Sequence, residues 1–297
     1  MASQPTVIAV MGPSGSGKTN FINQLTNTRG DRAAHQSYSH TWSVREYTVN
    51  LTKDRRYVFV DTPAFDATYR SDWDILRVIA EWLEKRYRRK VNLNGIIYTH
   101  RITDVRMFGP VWKNLDMFGR LCGDRAAGGV RLVSTMWDQV RDGELVESRV
   151  SQLEKNFWRP LIEAGARHKR FEENSSRCAW EIIGDLTGGG EPLLLQQELA
   201  DVGMKLNETT AGQAVYAQLQ KRLHEQKETI EWLQGETDAQ KDPDLVKERR
   251  RLEAELQRTS EEMERLKIPF CRRIALFFSK KTHPNSAITF KDVDEPQ

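Results

Sequence analysis

Eight consecutive residues, Gly12-Pro13-Ser14-Gly15-Ser16-Gly17-Lys18-Thr19, have the types and spacing needed to hold a chain of phosphates. Three glycines let the backbone curl until successive N–H groups point at one anion, and a helix starting there adds partial positive charge. Lys18 has the length to reach β- and γ-phosphate oxygens and to stabilise charge developing on a transferred phosphoryl group. The Thr19 hydroxyl can ligate Mg²⁺. Asp61 closes the apolar run Tyr57-Val58-Phe59-Val60 and can hold the same ion, directly or through water. Taken alone, Asp61-Thr62-Pro63 also fits a plain cap or turn.

These residues need a scaffold that brings strand ends together. Thr6 to Met11 is an apolar run that reads as a strand entering the loop, and Asn20 to Leu25 continues as a helix. The polar stretch from Asn27 to His40 has no periodicity and reads as a mobile surface loop. Further strands are expected at Trp42 to Leu51, Arg56 to Val60, Leu93 to His100, Gly129 to Ser134 and near Arg170-Phe171. Helices are expected at Ser71 to Arg89, Val111 to Leu121, Glu147 to Ala164 and Cys178 to Leu186. The alternation is that of an α/β domain, and Gly188-Gly189-Gly190-Glu191-Pro192 marks its expected edge.

Beyond that edge the pattern changes. Leu193 to Leu199 reads as a short helix. Tyr216, Leu219, Leu223, Gln226, Ile230 and Leu233 then recur in steps of three and four. After Asp242-Pro243 the pattern resumes at Leu245, Arg249, Leu252, Leu256, Thr259, Met263 and Leu266. Such seams belong to a coiled coil or helical hairpin, so dimerisation and folding back both stay open. Ile268 to Lys281 is apolar and basic, too short to span a bilayer, and suited either to an anionic membrane surface or to packing of Phe270, Leu276 and Phe277 on the globular domain. The residues from Thr282 onward read as largely unstructured.

Composition narrows the class. The 297 residues carry a net charge of +3, with 38% apolar and 29% charged residues. Mixed signs along the chain argue against nucleic-acid binding. Cys122, Cys178 and Cys271 have no metal-ligand spacing and read as reduced thiols in a cytoplasmic protein.

The stretch Thr6 to Leu186 resembles P-loop GTPases of the translation-factor-related class and, within it, AIG1-like and fungal G-domain proteins. The resemblance implies a three-layer α/β P-loop NTPase fold (a G domain) with a C-terminal helical, coiled-coil-like extension. It implies GTP or GDP with Mg²⁺ as ligands, bound by Gly12 to Thr19, Asp61, Ala64, Thr135 and Asp138. Ser39-His40-Thr41 looks like the first switch, which makes Thr41 a catalytic and metal-ligand candidate beside Lys18, Thr19 and Asp61. Asp61-Thr62-Pro63-Ala64 stands where the family has Asp-x-x-Gly, and Ala64 lacks the glycine's freedom. Thr135-Met136-Trp137-Asp138 matches the base-recognition motif, with Met136 in place of its lysine; Asp138 would accept from guanine N1–H and the exocyclic amine. Asn174-Ser175-Ser176 is the candidate for the last base-contacting loop. No glutamine follows Ala64 to orient water, so slow turnover or activation by a partner is expected.

The domain layout expected is 1–190 for the G domain, 191–204 for a linker, 205–267 for the helical region and 268–297 for the tail. The leading expectation is a guanine-nucleotide switch, self-associating through the G domain or the C-terminal helices. An ATP-dependent phosphotransferase and a non-hydrolysing nucleotide-bound scaffold are the alternatives. Peripheral membrane contact through 268–281 remains open alongside them.

Overall fold

The computed structural model describes residues 4–27, 43–52, 54–65, 70–104, 109–140, 142–186, 188–235, 243–279 and 285–290. The switch-like segment with His40 and Thr41, and Asp66 after Phe65, lie outside them. The chain divides into two compact units, residues 1–204 with 284–297, and residues 205–283.

The first unit is built on a six-stranded sheet in the order β2-β3-β1-β4-β5-β6. Its strands are β1 (Thr6–Met11), β2 (Arg45–Asn50), β3 (Arg56–Asp61), β4 (Gly95–Arg101), β5 (Val130–Thr135) and β6 (Arg167–Arg170). β2 runs antiparallel to β3, and the other pairings are parallel. The carboxyl ends of five strands therefore line one edge. β1 lies between β3 and β4, so the loop after β1 emerges where the strand order reverses, the position at which open α/β sheets bind ligands.

Alternation along the strands sends side chains to two helix layers. Ile8, Val10, Phe59, Ile97 and Val133 meet Phe21, Ile22 and Leu25 of α1 (Lys18–Thr26), and Ala179, Ile182 and Ile183 of α6 (Ser176–Ile183). Across the sheet, Tyr98 packs on Phe118 of α3 (Pro110–Cys122), with ring centroids 4.7 Å apart. Residues such as Ile8, Phe21, Phe59 and Ile97 are fully buried, each worth about 1.5–3 kcal/mol over an exposed position. α2 (Asp72–Arg88) starts where Ser71 Oγ accepts the Asp74 N–H, and it buries Ile75, Leu76, Ile79, Ala80 and Leu83. Its basic end is taken up locally: Arg86 pairs with Glu46, and Arg88 with Glu84.

Three expectations change. The helix expected over 147–164 starts earlier, capped by Asp142, and is broken into α4 (Gly143–Gln152), a π turn at Leu153–Phe157 and α5 (Arg159–Glu163). The stretch 191–204, expected as a linker with a short helix over 193–199, packs into the first unit. Leu193, Leu194, Leu195 and Leu199 are buried around α7 (Leu194–Gln196), and the Gln196 amide donates to Leu83 O. Nor are all residues after Thr282 unstructured. The 285–290 segment lies along α3, with Asn285 and Ile288 buried and Ile288 N–H donating to Gly119 O. A side chain at position 119 would drive into the Ile288 carbonyl.

The second unit contains α8 (Thr210–Gly235), α9 (Pro243–Leu266) and α10 (Phe270–Ser279). α8 packs on α9 within the one chain, burying Gln226, Ile230, Leu233, Thr259 and Leu266 of the seams, and Arg222 reaches Glu255 at 3.8 Å. α10 is fixed by Arg272, whose guanidinium donates twice to the buried Glu208 carboxylate at 2.8 and 2.9 Å. Leu276 is buried in this unit, whereas Phe270 is 73% exposed. Among the described residues, no helix is long and apolar enough to cross a membrane.

Candidate functional site: a phosphate loop joined to a second strand-end loop

The loop after β1 is a backbone nest. Gly12, Gly15 and Gly17 take φ values of +137°, +70° and +90°, and Gly17 caps α1 from the left-handed region. Only glycine fits at position 12: a Cβ there would press into the Thr99 carbonyl oxygen and lie 2.8 Å from Thr99 Oγ1. Thr99, on β4, also meets Ser16 Oγ through its hydroxyl at 2.6 Å, so the neighbouring strand fixes the curl of the loop. Lys18 is buried, and its ammonium donates to the carbonyls of Gly12 and Pro13 at 2.9 Å each. The amine is thereby held across the mouth of the nest.

At the end of β3, Asp61 is buried and accepts the Thr19 hydroxyl at 3.2 Å. The next residue is tied back to β1 by Thr62 Oγ1 donating to Val10 O at 2.9 Å. Thr19 and Asp61 thus present two hard oxygen donors side by side at the start of α1, a set that suits Mg²⁺. Ala64 and Phe65 are buried behind them.

The end of β5 joins the same site. Thr135 Oγ1 lies 2.9 Å from Ser16 O and 3.2 Å from His100 O, so the two strand-end loops meet through a hydroxyl. Met136 then adopts φ +62°, in the left-handed region, and a single 3₁₀ turn spans Trp137–Gln139 with Asp138 exposed.

The loop after β6 comes back to α1 and starts α6. Asn174 Oδ1 accepts from Asn20 and Gln24 of α1 at 2.9 and 3.1 Å, and Ser175 Oγ caps α6 by accepting the Cys178 N–H. The structure therefore brings Gly12 to Thr19, Asp61, Ala64, Thr135 and Asp138 to one edge of the sheet, while Thr41 lies outside the described residues.

Sequence reading passed over Thr99, Arg101 and His100. A Cβ at Gly15 would sit 3.5 Å from the Arg101 guanidinium, which Asp104 holds at 2.9 Å. Arg101 adds positive charge beside the nest. His100 is fully buried on the opposite face, and burial, with Arg101 adding to it, lowers its pKa to about 3. It is neutral at physiological pH and takes no part as an acid. The only available signal was strand parity: Thr99 and Arg101 share the Ile97 face, and His100 does not.

Sheet order, phosphate nest and strand-end loops define an α/β P-loop nucleotide-binding domain. The family model described as 50S ribosome-binding GTPase matches residues 7–107, the stretch from β1 through β4. None of the curated proteins matches the chain. Among solved structures, Toc33 from Arabidopsis thaliana in a dimerization-deficient mutant is 17% identical over 58% of this chain and 72% of its own, with a TM-score of 0.47. Era from Aquifex aeolicus bound to GDP.AlF4- is 13% identical over 62% of this chain and 57% of its own, at 0.44. The elongation factor SelB from Methanococcus maripaludis in complex with a GTP analogue is 14% identical over 64% of this chain and 36% of its own, at 0.40.

Proposed function

We propose that the chain is a guanine-nucleotide-binding switch that hydrolyses GTP slowly with Mg²⁺ and relays its nucleotide state to its C-terminal helices. One observation carries the reading: the Thr135 hydroxyl joins the phosphate loop to the strand end that carries exposed Asp138. A single ligand with phosphates at one end and a guanine edge at the other spans that pair.

In this reading the loop N–H groups and Lys18 hold the β- and γ-phosphates and stabilise the charge that grows on the transferred phosphoryl group. Thr19 and Asp61 would hold Mg²⁺, with Thr41 as a further ligand, and the ion would supply neutralisation of the phosphate charge. Asp138 accepts two hydrogen bonds from guanine, a pairing that adenine cannot offer. Ala64 keeps the backbone N–H of a γ-phosphate sensor while restricting the swing that glycine would allow. Phe65, buried next to it, cannot orient water. The missing group is supplied by a partner, and self-association through the nucleotide face is the form we favour. AIG1-like kinship and surface contact of 268–281 with anionic lipid complete the proposal at its finest level; the exposed Phe270 and Ile274 of α10 support the latter.

Phosphate release from GTP by the full chain tests the proposal. Mg²⁺-dependent turnover that Lys18→Ala lowers about a hundredfold, in line with loss of a transition-state donor, supports it. Equal turnover of ATP and GTP contradicts it.

A further inference from the structure

Beneath Asp138 lies a hydrogen-bonded chain that the reading above leaves unused. The indole N–H of Trp137 donates to Ser134 O at 3.0 Å and lies 3.1 Å from Ser134 Oγ. Ser134 Oγ lies 2.9 Å from His168 Nε2, and His168 Nδ1 lies 2.7 Å from Glu154 Oε1. The proton directions are fixed by the ends. A carboxylate only accepts, so Nδ1–H donates to Glu154; in the neutral imidazole Nε2 is then the acceptor of the Ser134 hydroxyl, whose oxygen receives Trp137. Neutral His168 completes the chain, and burial, the largest influence on it, favours that form against the opposing pull of Glu154.

The order serine, histidine, carboxylate is also that of a hydrolytic relay. Here Ser134 is fully buried and its oxygen already faces the indole N–H, so it has no access to a substrate. The chain positions something instead. Its end is Trp137, whose ring is held from its face as well: the Arg170 guanidinium sits 4.9 Å from the ring centroid, itself gripped by Glu147 at 2.6 and 2.8 Å. Trp158, fully buried, closes the far side of His168 at 5.1 Å. Trp137 is thus fixed at its edge and its face, one residue before Asp138 and one after the left-handed Met136.

We propose that His168, with Ser134 and Glu154, is a positioning residue for base selection: it clamps Trp137 and so aims the Asp138 carboxylate at the guanine edge. The proposal rests on the assignment of Asp138 to guanine. β6 thereby acquires a role in specificity although none of its residues need touch the nucleotide.

The test measures GDP and ADP affinities of the full chain, with Mg²⁺, for the wild type and for His168→Phe, His168→Gln, Trp137→Phe and Asp138→Ala. Phenylalanine fills the space of His168 but cannot accept from Ser134; glutamine can accept from Ser134 and donate to Glu154. The expected result is a GDP-over-ADP preference lowered at least tenfold by His168→Phe, ADP affinity unchanged within twofold, and most of the preference restored in His168→Gln. Trp137→Phe, which removes the indole N–H and shrinks the bicyclic ring to a phenyl while keeping an aromatic face for Arg170, lowers the preference by a smaller factor, and it carries the test should His168→Phe fail to fold. A preference unchanged within twofold in the folded variants, or equal losses of GDP and ADP affinity, overturns the proposal. If Asp138→Ala also leaves the preference intact, the assignment of Asp138 has failed; if Asp138→Ala abolishes it and the His168 and Trp137 variants do not, only the positioning role has.

Discussion

The hydroxyl of Thr135 lies 2.9 Å from the carbonyl oxygen of Ser16, bridging 119 residues of sequence at the centre of the site. Threonine meets the loop through a buried group with a second acceptor, His100 O, at 3.2 Å.

Replacing that hydroxyl by a methyl removes the one O–H that the Ser16 and His100 carbonyls share. Thr135→Val is expected to cost about 1–3 kcal/mol of stability, the penalty for unmet buried polar groups. Guanine-nucleotide affinity falls with it, because Ser16 loses its tether. Urea unfolding with and without GDP measures both effects.

Gly12→Ala is expected to abolish nucleotide binding. The new Cβ has no room against the Thr99 carbonyl, and φ +137° strains any L side chain by a further ~1–3 kcal/mol. Isothermal titration with GDP reads the loss directly, and retained affinity would show that the nest can deform.

Acid is expected to loosen the helical unit. Hydrogen bonds from Arg272 hold the Glu208 carboxyl below its ordinary value of 4.5, against the opposing effect of burial. A carboxyl with a depressed folded-state pKa contributes stability that is fully present above the unfolded value and is lost as pH falls through the folded one. Thermal melts from neutral pH into the acid range should therefore lose stability below about pH 4.5, the ordinary value. Arg272→Met should flatten that dependence.

The seam of α8 and α9 carries a polar flaw. Gln226 is buried, and its Oε1 has no hydrogen-bond partner among the described residues. Gln226→Leu is expected to stabilise the unit by about 1–2 kcal/mol, the cost of burying an unmet amide. Chemical denaturation followed by circular dichroism checks the sign.

These elements also mark what could be read without coordinates. The phosphate loop, the strand leading to Asp61 and the heptad seams announce themselves through spacing, because each is local: periodicity and glycine placement act within a few residues. Ser71 and Ser175 cap helices where local pattern allows it. The buried role of 193–201 and the docking of 285–290 on α3 depend on partners far away in sequence, such as Gly119 with Ile288, and no window along the chain contains both. The same holds for Thr99 against Gly12 and for His168 beneath Trp137, which sheet register alone brings together. The break after Gln152 is not legible in the sequence, because a π turn inserts one residue without a glycine or proline to mark it.

The most direct test of the central claim is titration of the purified chain with fluorescent GDP, GTP and ATP in the presence of Mg²⁺, repeated with Asp138→Ala. The account predicts tight binding of both guanine nucleotides, weak binding of ATP, and a strong loss of guanine affinity in the variant. ATP binding equal to GTP and indifferent to Asp138 would contradict it.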